Sequence, residues 1–435
     1  ISHYIPLIGP YILAQKKLEK SGIQFDYKGT FSFPPFKENE QHVEYNDPKF
    51  KITYFEDDDR DTLITRDFNL APWYELVKKY NFPKVNILTG VPPCAGLSML
   101  NSNNKKGDRA RGADAAQNNW MFSAVKLYLA SDSDVLVLEN APALATQTGL
   151  PFVNFIKQMI DSTGFNRTVQ LIKTTTYNHG IPQERKRTFL YIHKGDGFIH
   201  FKNKIHEDIT LEQLIEQNPI EDNDPCAIFT DDSVVRNEWI DLISKNRHFI
   251  EKFKCRFACD DSEVSKSLWK LILDDVKSNP SILDGYPKLQ KMFEHIKKKH
   301  AMNMGFWDGS PSIVKGKVNA VISKNRLSTL NPCDDYNSLL TVRHFMHLMG
   351  IPKDFNLVNP ENTWKHICQN VPVNTAADSL LWAIECLNNS NLIKGDWKYT
   401  IHNNLNRNIE SDITDENLVK IKLTNETQSS IFNLI

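Results

Sequence analysis

Two short apolar runs, each stopping at chemically reactive residues, constrain the fold of this chain most. The run "VNIL" (85–88) is followed by "TGVPP" and then Cys94, and "VLVL" (135–138) is followed directly by Glu139 and Asn140. Short apolar runs bounded by turn residues are typical of buried strands. Because open α/β sheets bind ligands at the carboxyl ends of their strands, we predict that Cys94 and Glu139 lie at one sheet edge.

Segments with helical spacing alternate with these strands. Apolar residues recur at helical positions in "QNNWMFSAVKLYLAS" (117–131) and "FVNFIKQMIDSTG" (152–164). Further strands are predicted at "TLITRDF" (62–68), "RTVQLIKTTTYNHG" (167–180) and "RTFLYIHK" (187–194). This alternation predicts a doubly wound α/β fold.

The alternation stops near residue 205, which predicts a second, smaller domain. Helical pieces such as "TLEQLIEQ" follow that point, and clear helical period returns in "SLLTVRHFMHLMGIP" (338–352) and "NTAADSLLWAIECLNN" (374–389). We therefore expect the following segments: 1–204 and 326–400 form the large domain, 205–325 the inserted domain, and 401–435 a polar appendage.

Composition excludes a membrane protein and a disulfide scaffold. The 435 residues are 40% hydrophobic and 24% charged, with no run near the roughly 20 apolar residues that span a bilayer. Seven cysteines form an odd, scattered set, which favours free thiols in a reducing, intracellular location over secretion. The start at Ile1 rather than Met leads us to expect further residues upstream.

Neither a metal nor a nucleic acid is indicated by these bulk properties. Cys255 and Cys259 lack a second pair with matching histidine spacing, so two ordinary helix-face thiols are favoured and no metal is expected. The net charge of −1 argues neither way about nucleic acid, since a basic groove can be balanced by acids elsewhere.

Cys94, Glu139 and the triple Gln183-x-Arg185-x-Arg187 form one chemical set. A thiolate is a strong nucleophile, a carboxylic acid can protonate a ring nitrogen, and a guanidinium can hold a carbonyl oxygen. A pyrimidine attacked at C6 needs all three groups. Taken singly, each has an ordinary structural explanation: a buried thiol, a helix cap and a charged surface run.

The order of five sequence segments favours a joint chemical role for these residues over the separate structural explanations. "ILTGVPPCAGLS", "VLENAPAL", "GIPQERKRTFLYI", "SLLTVRHFMHLMGIPKDF" and "ICQNVPVNTAADSLLWAIE" occur in that order, with a variable stretch before the last two. Together they resemble the DNA cytosine-5 methyltransferase family. The resemblance implies a doubly wound mixed sheet of the S-adenosylmethionine-dependent methyltransferase type, with a target-recognition domain at 205–325.

The resemblance also implies roles for the chemical set. Cys94 would add to cytosine C6, Glu139 would protonate N3, and Arg185 would contact O2. S-adenosylmethionine would supply the methyl group, and double-stranded DNA would be the partner of a monomeric enzyme. The target cytosine would have to leave the duplex, because C6 is out of reach inside the stack.

Cofactor and DNA contacts follow from the same resemblance. The implied cofactor residues are Gly9, Glu56, Asp67, Pro93 and Gln369. The implied DNA-binding residues are Ser98, Arg109, Arg111, Gln183 and Arg187. The cofactor loop departs from the family pattern, since Gly9-Pro10 stands where a glycine cluster is usual and proline removes a backbone donor.

Two other functions stay open on the sequence. The altered positions Gly9-Pro10 and Cys368-Gln369 suit a methyltransferase-like protein that binds DNA or a protein partner without transferring methyl groups. The same chemistry on RNA is the other alternative, although nothing here resembles the Cys-Phe-Thr segment of the tRNA-acting branch.

Overall fold

The fold is taken from a computed structural model of the chain. It describes residues 1–93, 96–97, 113, 115–202, 204, 206–229, 233–246, 248–249, 265–301, 312–314, 316–321, 329–331, 338–395, 397–405 and 418–422. Cys94, Ser98, Arg109 and Arg111, all predicted to be functional, lie outside these residues, as do Cys255 and Cys259.

Strands and helices are numbered here in chain order. The strands are β1 Ser2–Tyr4, β2 Gly29–Ser32, β3 Ile52–Tyr54, β4 Ile87–Gly90, β5 Val135–Asn140, β6 Arg167–Thr175, β7 Gln183–Glu184, β8 Lys186–Lys194, β9 Phe198–Ile199, β10 Ser265–Ser267, β11 Ser312–Val314, β12 Val318–Asn319, β13 Thr329–Asn331, β14 Ser338–Leu339, β15 Leu392–Ile393, β16 Trp397–Asn404 and β17 Leu418–Lys422. The helices are α1 Pro10–Lys20, α2 Lys37–Asn46, α3 Arg60–Leu63, α4 Ala71–Lys79, α5 Asn119–Ala130, α6 Leu150–Ser162, α7 Leu211–Gln217, α8 Ser233–Lys245, α9 Leu268–Ser278, α10 Pro287–Ala301, α11 Val342–Leu348, α12 Pro360–Thr363 and α13 Val373–Leu387.

A nine-stranded mixed sheet organises the larger part of the chain. Its order is β17-β16-β6-β8-β5-β4-β1-β2-β3. The five strands from β5 to β3 are mutually parallel, whereas β8 runs antiparallel to both β5 and β6. Every residue of β4 and β5 is buried, as expected for strands covered on both faces. The predicted α/β class with a mixed sheet is confirmed.

The chain divides into two compact units. Unit 1 comprises 1–180, 186–207 and 370–435, and unit 2 comprises 181–185 and 208–369. Unit 2 thus begins close to the predicted boundary at 205 but continues well past 325. The reason is that Phe345 and Leu348 of α11 pack in one apolar cluster with Leu211 and Leu214 of α7.

Two local predictions were wrong. "TLITRDF" forms no strand, because α3 occupies 60–63 and bends follow to Asp67. The helical turns there begin at Asp57–Asp59, and acidic residues stabilise the amino-terminal end of a helix. Residues 401–404 are not part of a polar appendage, since they continue β16, which β17 then pairs antiparallel. Among the described helices, none has the length and apolarity needed to cross a bilayer.

Candidate functional site

The carboxyl ends of the five parallel strands define the candidate site. β1 lies between β2 and β4, so the chain leaves the sheet in opposite directions on its two sides, and a crevice forms where such a reversal occurs. Glu139 and Asn140 end β5, and Pro93 follows β4 by three residues. β4 and β5 are parallel neighbours, so Pro93 and Glu139 follow strand ends at the same edge, and the place of Cys94 at this edge stays a prediction.

Glu139 pairs with Arg187 at this edge. Arg187 Nε lies 2.5 Å from Glu139 Oε1, and the two side chains are 14% and 3% exposed. The pair forms because β8 runs antiparallel to β5, with Glu139 opposite Phe189 and Asn140 opposite Thr188. A carboxylate and a guanidinium are therefore held together, in low-dielectric surroundings, beside the segment that carries Cys94.

Arg185 is buried within unit 2. Its side chain is 1% exposed, Nη1 donates to the Val321 carbonyl at 2.7 Å, and Nη2 donates to the Cys368 carbonyl at 2.6 Å. Both contacts lie within unit 2. The structure thus gives Arg185 two partners inside unit 2, and its contact with the substrate stays a prediction. Arg187 is the arginine beside Glu139.

Gln183 is likewise buried within unit 2, and its contact with DNA stays a prediction. The side chain is fully buried; Nε2 donates to the Leu348 carbonyl at 2.6 Å, and Oε1 accepts from the Val321 amide at 3.0 Å. Both the nitrogen and the oxygen of its side-chain amide therefore have hydrogen-bond partners. Gln183 and Arg185 together hold the short segment 181–185 in unit 2, and Arg187 follows directly in unit 1.

The segment around Cys94 is described at its flanks. Pro93 is half-buried, and Gly96 and Leu97 are buried. A Cβ on Gly96 would lie 2.6 Å from Ala115 Cβ and 2.6 Å from Asn118 Oδ1, so only glycine allows this approach. The loop therefore returns to the start of α5 two residues after Cys94.

The loop after β1 has an unusual backbone. Ile5, Leu7 and Gly9 have φ values of 47°, 52° and 86°, the left-handed region that side chains other than glycine rarely adopt. Gly9 caps α1, and Pro10 occupies the first helical position. Two non-glycine residues thus hold conformations that glycines would adopt without strain, at a strand end where cofactors bind.

Asn370, next to the predicted Gln369, contacts this loop. Asn370 is buried and its Oδ1 accepts from the Ile8 amide at 3.3 Å, whereas the Gln369 side chain is exposed and belongs to unit 2. The contact of Gln369 with the cofactor stays a prediction.

The two acids predicted for the adenosine are both solvent-exposed. Glu56 follows β3 by two residues and pairs with Lys79 at 2.9 Å. Asp67 pairs with Lys126 at 3.1 Å and accepts from Thr65 Oγ1 at 2.7 Å. Glu56 does follow a strand, as predicted, whereas Asp67 does not.

Glu40, on α2, is the acid that the sequence did not single out. It is fully buried, and its Oε1 accepts from Ser32 Oγ, at the end of β2, at 2.6 Å. Its Oε2 has no hydrogen bond of full geometry among the described residues, and the carboxyl group as a whole also interacts with the Tyr54 side chain and the Leu7 backbone. Burial raises the pKa of Glu40 to about 8, against the opposing effect of those neighbours. One carboxyl group thus meets the ends of β1, β2 and β3.

Comparison with known proteins gives consistent matches. A model of the family "C-5 cytosine-specific DNA methylase" matches residues 47–380. The type II methyltransferase M.MthTI of Methanothermobacter thermautotrophicus is 28% identical over 148 residues, 33% of this chain, which spans only 42% of that relative. M.NgoPII of Neisseria gonorrhoeae is 23% identical over 309 residues, 69% of this chain and 77% of that protein.

A solved structure shows the same fold. The putative DNA modification methyltransferase encoded within a prophage of E. coli aligns with a TM-score of 0.52 at 14% identity. The alignment covers 89% of this chain and 99% of that one. At this identity the likeness establishes the architecture alone.

Proposed function

Because the chain belongs to the C-5 cytosine-specific DNA methylase family, we propose that it methylates C5 of a cytosine in double-stranded DNA, with S-adenosylmethionine as donor. The Glu139–Arg187 pair is the observation that carries the proposal, because it sets an acid and a guanidinium beside the Cys94 segment. The cofactor, when bound, supplies an electrophilic methyl group.

The residues of this edge have complementary tasks in the proposed reaction. The Cys94 thiolate forms a bond to C6 of a flipped cytosine while a proton on Glu139 passes to N3, which makes C5 nucleophilic. Arg187 orients Glu139 and donates to O2. After methylation, a base takes the C5 proton, the C6–sulfur bond breaks to release the Cys94 thiolate, and the N3 proton returns to Glu139, which restores both the aromatic ring and the acid.

Among the described residues, Glu40 supports the proposal of a cofactor site. Its Oε2 is buried without a fully formed hydrogen bond, and such an atom is costly unless a ligand or water satisfies it. We propose that this carboxyl group accepts from the ribose hydroxyls, with the loop 5–9 and Asn370 beside it. Glu56 and Asp67 stay predictions for the adenosine, and Pro93 for the wall of the pocket.

The proposal assigns the contacts with DNA to two parts of the chain. Ser98, Arg109 and Arg111 are assigned to a segment that contacts DNA near the extruded base. Unit 2 is assigned to target recognition through the major groove, where each base pair presents a distinct pattern of donors and acceptors.

Bisulfite sequencing of host DNA tests the activity and gives the site. Expression of the full chain is expected to protect cytosines in one sequence context, and expression of Cys94→Ser is expected to protect none. Full conversion of every context, with folded protein present in the cells, contradicts the proposal.

The strained loop favours one other function, a methyltransferase-like protein that binds DNA without transferring methyl groups. Ile5 and Leu7 stand in left-handed conformations, and Gly9-Pro10 stands where the family resemblance leads us to expect a glycine cluster. Calorimetric titration with S-adenosylmethionine separates the two functions. Saturable binding supports the enzyme, and its absence with folded protein supports the binding module.

Glu40→Gln is expected to weaken cofactor binding about tenfold or more while stabilising the chain at alkaline pH. The pKa of Glu40 is about 8 when folded and near 4.5 in a model peptide, so the folded chain holds an extra proton between these values. The free energy of unfolding therefore falls as pH rises from 4.5 to 8, and the glutamine variant should lose that slope.

Thermal denaturation from pH 5 to 9 and cofactor titration measure the two effects. Glu38→Gln, on an exposed position of the same helix, is the matched control and should change neither quantity. A Glu40→Gln variant with wild-type affinity for the cofactor would remove Glu40 from the binding site.

A further inference from the structure

His179, His206 and Asp378 form a compact group in unit 1, where His179 follows the end of β6 by four residues. One candidate ligand atom from each residue lies within 4.8 Å of the other two. Asp378 Oδ2 lies 2.6 Å from His179 Nδ1 and 2.6 Å from His206 Nε2, within hydrogen-bond distance of both rings. Within the described residues this is the one group of three such side chains.

The surroundings of the group resemble those of a metal centre. The His179 and Asp378 side chains are 0% and 4% exposed, while His206 is 30% exposed, so an ion could enter from the His206 side. The second ring nitrogen of His179, Nε2, lies 2.7 Å from Thr174 Oγ1. Such an outer contact fixes the tautomer and ring orientation of a metal-binding histidine.

Local sequence brings the three residues together. Gly180, at φ 71°, turns the chain directly after His179, and a Cβ there would lie 3.2 Å from His206 Cβ. Asn374 Nδ2, four residues before Asp378, donates to the His179 carbonyl at 3.0 Å. The rings are therefore set by the backbone around them as well as by their shared carboxylate.

We propose that His179, His206 and Asp378 bind a divalent transition-metal ion, with zinc as the best match. Two imidazoles and one carboxylate are ligands that zinc accepts, and a water molecule would complete a tetrahedral set. The ion would also neutralise a buried carboxylate whose partners are two imidazoles, which lack charge unless protonated.

The positions of the three residues along the chain indicate the role of the proposed ion. The chain passes between the units at 180/181, 185/186, 207/208 and 369/370. His179 and His206 each lie within two residues of a passage, and Asp378 lies in the helix that follows the last one. The ion would thus tie together, inside unit 1, three stretches of chain that lead into or out of unit 2. Its role is structural and separate from methyl transfer.

Metal analysis of the full chain, purified without a polyhistidine tag, tests the proposal. Zinc is expected at one ion per chain, and Co²⁺ added to the metal-free protein should give visible absorption bands of tetrahedral cobalt. Zinc added back should raise Tm by about 5 °C or more, because it binds the folded state alone.

His206→Ala and Asp378→Asn should each abolish both the zinc and the cobalt spectrum. His295→Ala, an exposed histidine on α10, is the matched control and should retain both. His206 is partly exposed, so its variant keeps the fold, which circular dichroism checks. A wild-type chain without stoichiometric zinc or a cobalt spectrum, or metal that persists in both variants, overturns the proposal and leaves a hydrogen-bonded His-Asp-His group.

Discussion

Glu139→Gln is expected to lower the rate of methyl transfer about 10²–10⁴-fold, the usual contribution of a general acid. The amide that replaces the carboxyl group can accept from Arg187 but cannot deliver a proton to N3 of the base. The fold should persist, because glutamine has nearly the same volume as glutamate in this buried position. Single-turnover transfer of labelled methyl groups to DNA measures the effect directly.

Glu184→Gln is the matched control for that experiment. Glu184 lies three residues before Arg187 and is partly exposed, and its pair with Lys317 at 2.7 Å is of the surface kind that contributes little. Its activity should equal that of the wild type. A Glu139→Gln variant that transfers methyl groups at the wild-type rate would remove the acid from the proposed mechanism.

Alanine substitutions of Arg187 and Arg185 are expected to have different effects, the first on methyl transfer and the second on stability. Arg187→Ala should fold normally and lose transfer about 10²-fold or more, since the base loses a donor and Glu139 loses its partner. Arg185→Ala should unfold more readily, because the Val321 and Cys368 carbonyls would lose buried donors at about 1–3 kcal/mol each.

Denaturation in urea and transfer rates at equal folded fraction separate the two effects. Lysine at each position is the conservative comparison, because it keeps the charge and loses the planar fork. If Arg185→Ala is as stable as the wild type but inactive, the internal role assigned to Arg185 is wrong. If Arg187→Ala is fully active, the role assigned to Arg187 is wrong.

The difference between the two arginines does not follow from their spacing in the sequence. In a continuous strand Arg185 and Arg187 would face the same way, because side chains two positions apart share a face. Arg185 instead lies between β7 and β8, where its amide donates to the Gln183 carbonyl at 3.0 Å and the alternation is broken. Which arginine meets Glu139 depends on the register of β8 on β5, with Asn140 opposite Thr188. Register depends on pairing with a distant strand, so the local sequence could not choose between the two arginines.

Elements with strong local signals were predicted well. The strands before Cys94 and at Glu139, and the helices α5 and α6, have continuous apolar runs or clear helical period. Glu40 gave no such signal, because its importance arises only when α2 packs its carboxyl group against Ser32. Likewise, β16 contains polar residues, and its place in the sheet depends on pairing with β6.

Covalent trapping tests the central claim most directly. The full chain is incubated with labelled S-adenosylmethionine and DNA that contains 5-fluorocytosine in the sequence context identified by bisulfite sequencing. Fluorine at C5 cannot leave as a proton does, so the enzyme should remain bonded to the base through Cys94 as a complex that survives denaturation. We expect this complex with the wild-type chain and none with Cys94→Ser. A folded, cofactor-binding wild-type chain that forms no such complex would contradict the proposed cytosine-5 methyl transfer.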